Sequence, residues 1–122
     1  MRRFIPVFIA LVLVGCVSAP KVGPEIFESA EQAIAAAERA GAEELAPVEL
    51  RFAREKLQAA RANYDGEEYD DAIWLVEQSE INSELAIEQS RAAQSRRKAN
   101  ELRRENEVLR EELTANFGEG FE

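Results

Sequence analysis

Histidine is absent from the 122 residues, and cysteine, tryptophan and methionine occur once each. With no imidazole and one thiol, zinc, iron and copper lack their usual ligands, and no disulfide can form within the chain. Ser29, Ser79, Ser83, Ser90 and Ser95 have no histidine to activate them, and no glycine-rich phosphate loop is present. Carboxylates abound, but they fall in helix patterns that expose them to water, where no raised pKa is expected. Catalytic residues, cofactors and metals are therefore not expected. The best grouping for a hard cation, Asp65, Glu67, Glu68, Asp70 and Asp71, lacks the glycine and terminal glutamate of an EF-hand loop and is better read as a charged helix start. Bases are scarce as well: 15 Lys and Arg against 24 Asp and Glu leave a formal charge of −9, which argues against nucleic acid as a partner. Aromatics make up only 7% of the chain, and leucine, isoleucine and valine are few beside alanine. Such a composition supports one small domain with a thin core, for which an oligomer or a partner would add stability.

What the chain does have begins at its N-terminus. Arg2 and Arg3 precede an apolar run from Phe4 to Val14, interrupted by Pro6 and followed by small Gly15. The run is shorter than the roughly 20 apolar residues of a membrane span, so it reads as a secretion signal over residues 1–15. Leu13-Val14-Gly15-Cys16 resembles the bacterial lipoprotein box. That resemblance implies cleavage before Cys16, a diacylglycerol thioether on its sulfur and an acyl chain on its new amino group. Each buried CH₂ contributes ~0.8 kcal/mol, so two or three chains hold a protein on a membrane. Val17 and Ser18 follow, without the aspartate that the same resemblance associates with inner-membrane retention. This implies a lipid anchor in the outer membrane, facing the periplasm. Removal of the signal takes the formal charge to −11, because Arg2 and Arg3 leave with it. Residues 16–24, rich in small residues and proline, are expected to be the lipidated cysteine and a tether.

From Glu25 onward the periodicity is helical, and an all-α fold follows: an antiparallel alanine-rich bundle or hairpin over residues 25–95, with one long C-terminal helix extending as a coiled-coil-like arm over 96–116. A first helix is predicted from Glu25 to Ala40, where Ala30, Ala33, Ala37 and Ala40 recur at three- and four-residue steps and Gly41 stops it. Pro47 opens a second helix whose buried stripe is Leu50, Ala53, Leu57, Ala60 and Tyr64. In NYDGEEYDDA, Asp65 is expected to cap a third helix while Glu68 reaches back in a capping box. No glycine or proline then occurs before Gly118, so the third helix runs to about Ala115, roughly 75 Å. Its early part carries a stripe of small residues from Ala72 to Ala93, through which the helices approach one another closely.

Two features of this helix lie outside that stripe. Trp74, Ile81 and Leu85 form a second apolar strip at helical spacing. The first helix is expected to cover it; left uncovered, it is a patch for a partner. Farther along, Ala99, Leu102, Asn106, Leu109 and Leu113 alternate three- and four-residue steps as a heptad seam, with Asn106 placed to fix register and oligomer number. The alternative is a solvated arm with fortuitous leucines.

Charge also reverses. Residues 25–88 hold 17 acids and 5 bases, whereas Arg96, Arg97, Lys98, Arg103 and Arg104 crowd the distal helix. Such a run is ordinarily a solvated face. Its functional reading is contact with an anion, such as a non-covalent contact with peptidoglycan, lipopolysaccharide or the acidic part of another copy. The tail, residues 117–122, is expected to be flexible, and its terminal Glu122 is not the lysine through which the major outer-membrane lipoprotein attaches covalently to peptidoglycan.

The stretch from Ala46 onward resembles the domain-of-unknown-function 4398 family of bacterial envelope lipoproteins. The carrying features are Pro47 before Glu49 and Leu50, the Ala53 to Leu57 spacing, the acidic glycine turn from Asp65 to Tyr69, and the alanine- and serine-rich arm after it. The resemblance covers about residues 25–100. Some members carry a following peptidoglycan-binding domain of the OmpA type, for which this chain has no room, and the family assigns no chemistry to particular residues. The same stretch is similar to one tetratricopeptide-type hairpin, although a stable solenoid needs about three repeats. The expected function is a non-enzymatic, lipid-anchored periplasmic adaptor or spacer acting through contacts with itself or other envelope proteins. The alternative is a peptide- or ligand-binding module on the outer membrane.

Overall fold

Proline opens the fold. In the computed structural model, which describes residues 22–118, Pro24 begins one 3-10 turn, Pro24–Phe27, at a position where its missing N–H leaves nothing unpaired. The predicted signal, Cys16, the first part of the tether and the end of the tail lie outside the described residues. The turn leads directly into α1 (Glu28–Arg39), which buries Ala30, Ile34 and Ala37 at steps of four and three. A single helical turn, α2 (Ala42–Leu45), follows, then α3 (Pro47–Asp65) and the 49-residue α4 (Tyr69–Phe117). The helical class and the long C-terminal helix match the sequence expectation; the 3-10 start and α2 are additions to it.

Both sharp reversals rest on left-handed residues. Gly41 closes α1 with φ +80°, its N–H donating to the Glu38 carbonyl at 2.9 Å. At the other end of the bundle, the sequence suggested that Asp65 caps the third helix. Instead Asp65 is the last residue of α3, and α4 starts after Glu68 with no side-chain cap. The turn is a Schellman motif: Glu67 N–H donates to the Tyr64 carbonyl at 3.0 Å, and Glu68 N–H to that of Asn63 at 2.8 Å. Its left-handed position falls to Glu67, φ +64°, and not to the neighbouring Gly66. Because a left-handed conformation costs an L-residue about 1–2 kcal/mol, the two sites should respond oppositely. Glu67→Gly is expected to raise the melting temperature by about 4–8 °C, and Gly41→Val to lower it by at least as much, read by circular dichroism at 222 nm. Gly41 has no atom nearer than 3.7 Å to an added Cβ, so the loss there reports strain and not a clash.

The direction of each helix follows from its partners. Along α1, Glu31 pairs with Arg61 and Glu38 with Arg54, so α1 ascends as α3 descends. Phe27 meets Tyr64 at one end, and Gln94 donates to the Ala40 carbonyl at 2.9 Å at the other, so α1 and α4 run the same way. At the α3/α4 contact small residues bring the two backbones together. Ser79 Oγ donates across to the Ala53 carbonyl at 2.8 Å, while Ser83 and Ser90 return their hydroxyls to their own helix at Ser79 and Ala86. These three serines are fully buried and none is left unpaired, which is the condition for placing hydroxyls in a core. Among the described residues, the buried leucine, isoleucine and phenylalanine are Phe27, Ile34, Leu50, Leu57 and Leu75, the rest of the apolar core is alanine with Val76, and Ile26 and Ile87 pack against it half-buried.

The base of the bundle, where α3 turns into α4, is closed by aromatic rings. Tyr64 packs edge-on against Phe27 and Tyr69 at centroid distances of 5.3 and 5.2 Å, and its hydroxyl donates to the Val22 carbonyl at 2.9 Å. The chain therefore joins the fold beside the start of α4. At the other end Arg97 pairs with Glu44 at 2.9 Å, and every residue from Gln94 to Gly118 is exposed. The twenty residues of α4 past Arg97 project for about 30 Å.

Candidate functional site

A helix turns 100° per residue, so two positions two residues apart lie on nearly opposite faces. The buried positions Ala72, Val76, Ser79 and Ser83 thus define one side of α4, and Trp74, Gln78, Ile81 and Leu85 define the other. Trp74, Ile81 and Leu85 are 54%, 55% and 47% exposed. The expectation that α1 covers them is overturned. α1 lies across the other flank of the hairpin, drawn there by Arg54 and Arg61, which face Glu31, Glu38 and Glu43.

Sequence reasoning missed two neighbours of this strip. Val48 and Phe52 are 47% and 42% exposed on the flank of α3 turned away from Arg54. Their four-residue spacing, displaced from the Leu50 stripe, was the available signal. Lys56, a further four residues on, sets its ammonium 5.8 Å from the centre of the Trp74 ring, and Gln89 bonds Glu49 at 2.9 Å. The apolar strip therefore borders α3 and is rimmed by polar groups that hold the hairpin's open side in place.

On the projecting part, Leu102, Leu109 and Leu113 are 45%, 55% and 44% exposed, and Ala99 and Asn106 are exposed with them. Asn106 donates its amide to the Leu102 carbonyl at 2.9 Å, so in the single chain its side chain lies back along its own helix. The five bases do not form one surface. Arg97 is drawn to Glu44, and Lys98 to Glu101 at 3.0 Å. The hydrogen bond that Lys98 donates to Glu101, with the carboxylate's charge, raises the Lys98 pKa above its usual value, and the hydrogen bonds that Arg54 donates to Glu38 and then Glu43 do the same for Arg54. By angle, Arg96 and Arg103 share one flank of α4, while Arg104 points with Arg97 to the bundle side. The acidic turn residues form no group suited to a metal ion among the described residues.

A shallow groove of about 450 Å³ lies between α1 and α3, lined by Ile34, Ala35 and Leu57 and crossed by Arg54 and Arg61. Its ion pairs are about half exposed, a setting in which each contributes roughly 0–1 kcal/mol, so they orient α1 more than they stabilise it. No helix among the described residues is long and apolar enough to cross a membrane.

The molecule is thus a small helical bundle from which one helix projects, with exposed apolar residues at Trp74, Ile81 and Leu85 on the bundle and Leu102, Leu109 and Leu113 on the projection, separated by Glu88, Ala92, Ser95 and Ala99. The chain belongs to the family described as domain of unknown function (DUF4398), whose match spans residues 26–102 and takes in the bundle and the root of the projection. No curated protein and no solved structure matches it.

Proposed function

We propose that this protein is a non-enzymatic, lipid-anchored adaptor or spacer of the bacterial cell envelope, held by acylated Cys16 in the outer membrane on its periplasmic side and acting through protein contacts. The observation that carries the reading is the polarity of the fold. Val22, six residues past the predicted anchor, is bound to Tyr64 at the base of the bundle, and α4 starts at that base and ends about 73 Å away. An anchor at one end and a bare helix with exposed leucines at the other make a device for reaching.

Two measurements test this. Labelled palmitate should enter the wild-type chain and be lost completely from Cys16→Ser, with the protein leaving the membrane fraction. Removal of the segment after Lys98 should leave the melting temperature of the bundle within a few degrees, because nothing in the core lies beyond that point, while abolishing the chain's crosslinks in intact envelopes. Label in Cys16→Ser, or crosslinks that survive the truncation, would refute the anchor and the reach respectively.

A further inference from the structure

The strip on the bundle and the seam on the projection are one surface. Starting at Trp74 and stepping four and three residues in alternation, the register passes Gln78, Ile81, Leu85, Glu88, Ala92, Ser95 and Ala99 and lands on Leu102 without a change of phase, its apolar bulk concentrated at the two ends. It then continues through Asn106, Leu109 and Leu113. The series spans 74–116, about 63 Å of helix, and apart from half-buried Gln78 every position in it is exposed. The buried series from Ala72 to Ala93 runs at the same heptad spacing on the opposite face and stops where α1–α3 stop. One heptad stripe therefore builds the chain's own core, and the other stays largely exposed among the described residues.

We infer that the outer stripe is the interface with a second copy of this chain, the two α4 helices lying parallel and in register from Trp74 to Asn116. The inference rests on the adaptor reading and names its partner. Length limits the occupant, since a stripe of this extent is covered only by a helix as long, and the described chain contains one such helix, α4 itself. Asn106 fixes direction. In a parallel pair it faces its own counterpart, where the two amides bond each other; in the reverse alignment over the same span it would lie opposite Ile81 or Glu88, away from its counterpart.

Charge is favourable at one pair of flanking positions in the distal part. Glu105 on one flank meets Arg110 of the second chain on the other, once from each side, when the helices are parallel. Arg91 and Lys98 face bases in the parallel pair, but each is already paired within its chain, with Glu88 at 2.6 Å and Glu101 at 3.0 Å. Because a straight helix drifts about 20° per heptad from this register, contact along the whole stripe requires a left-handed supercoil.

The test is disulfide trapping in intact cells with the full chain, retaining Cys16 and adding one cysteine at Ile81, Ala99 or Leu109. Oxidation is expected to give a disulfide dimer at each of the three, and none in the wild type or in Val108→Cys, an exposed site on the other face. A dimer at Leu109 but not at Ile81 would overturn the continuous stripe in favour of a distal zipper. Absence at all three would overturn the second copy as occupant, and a dimer only between mixed Ile81→Cys and Leu109→Cys chains would overturn the parallel direction. Palmitate labelling and envelope crosslinking of the wild type judge the adaptor reading separately in every case.

Discussion

Replacing Ala53 with leucine is expected to lower the melting temperature of the bundle by roughly 10–20 °C. Ala53 is fully buried, and its carbonyl accepts the Ser79 hydroxyl at 2.8 Å, so the backbones of α3 and α4 meet across this point with only a methyl group between them. Three added carbons have no space to enter. The helices must separate, which strands Ser79 Oγ without its acceptor and loosens the neighbouring alanine contacts at Ala60 and Ala86. Overpacking of this kind costs about 1–3 kcal/mol, and a lost buried hydrogen bond adds about 1. For a domain near 100 residues each kilocalorie moves the midpoint by about 4–8 °C. Phe52→Leu, one residue away but on the exposed flank, serves as the control and should shift it by no more than a few degrees. If Ala53→Leu melts with the wild type, the close approach of α3 and α4 is wrong.

The importance of small residues at that contact was legible in the sequence, because alanine and serine at steps of three and four admit few other readings. Pro47 and Gly41 were legible for similarly local reasons: each suits a backbone conformation that other residues resist. Two things were not. The Asp65 to Glu68 stretch has the residues of a capping box, but the backbone of the preceding helix claims the N–H groups of Glu67 and Glu68 for its own orphan carbonyls, and the side chains have nothing to cap. No local pattern announces which of two backbone solutions a turn adopts.

The second was the side of the hairpin that α1 would take. Both flanks of α3/α4 carry apolar residues, and α1 takes the one on which it buries Ala30, Ile34 and Ala37 and where Arg54 and Arg61, seven residues apart on α3, meet acids on α1 and α2 that lie 11 to 30 positions away in sequence. Such a match between distant segments has no local signature, and the candidate site depends on it. With α1 on the Trp74 flank, the strip would have been core and the distal seam an isolated zipper. With α1 on the other, the two run together. The family match ends at Leu102, within this surface, so the bundle is the family's shared part and the last heptads extend a face that already begins on it.

Tyr64→Ala should destabilise the bundle by about 2–3 kcal/mol, with the melting midpoint lowered by roughly 10–20 °C. The ring is half-buried, and its loss removes two edge-on aromatic contacts together with the packing of Phe27 at the base. The informative comparison is Tyr64→Phe. It keeps both ring contacts and removes only the hydroxyl that holds the Val22 carbonyl, a partly exposed neutral bond worth about 0.5–1.5 kcal/mol. The midpoint should fall by only a few degrees. Amide exchange and limited proteolysis around Val22 to Phe27 should nonetheless accelerate well beyond the change in the rest of the molecule, because this bond ties the N-terminal strand of chain to the foot of α4. Uniform acceleration across α1, α3 and α4 would mean that the hydroxyl serves global stability. Local acceleration alone would mean that it sets where the tether leaves the bundle, and with it the distance at which the tip of α4 is held from the proposed anchor at Cys16.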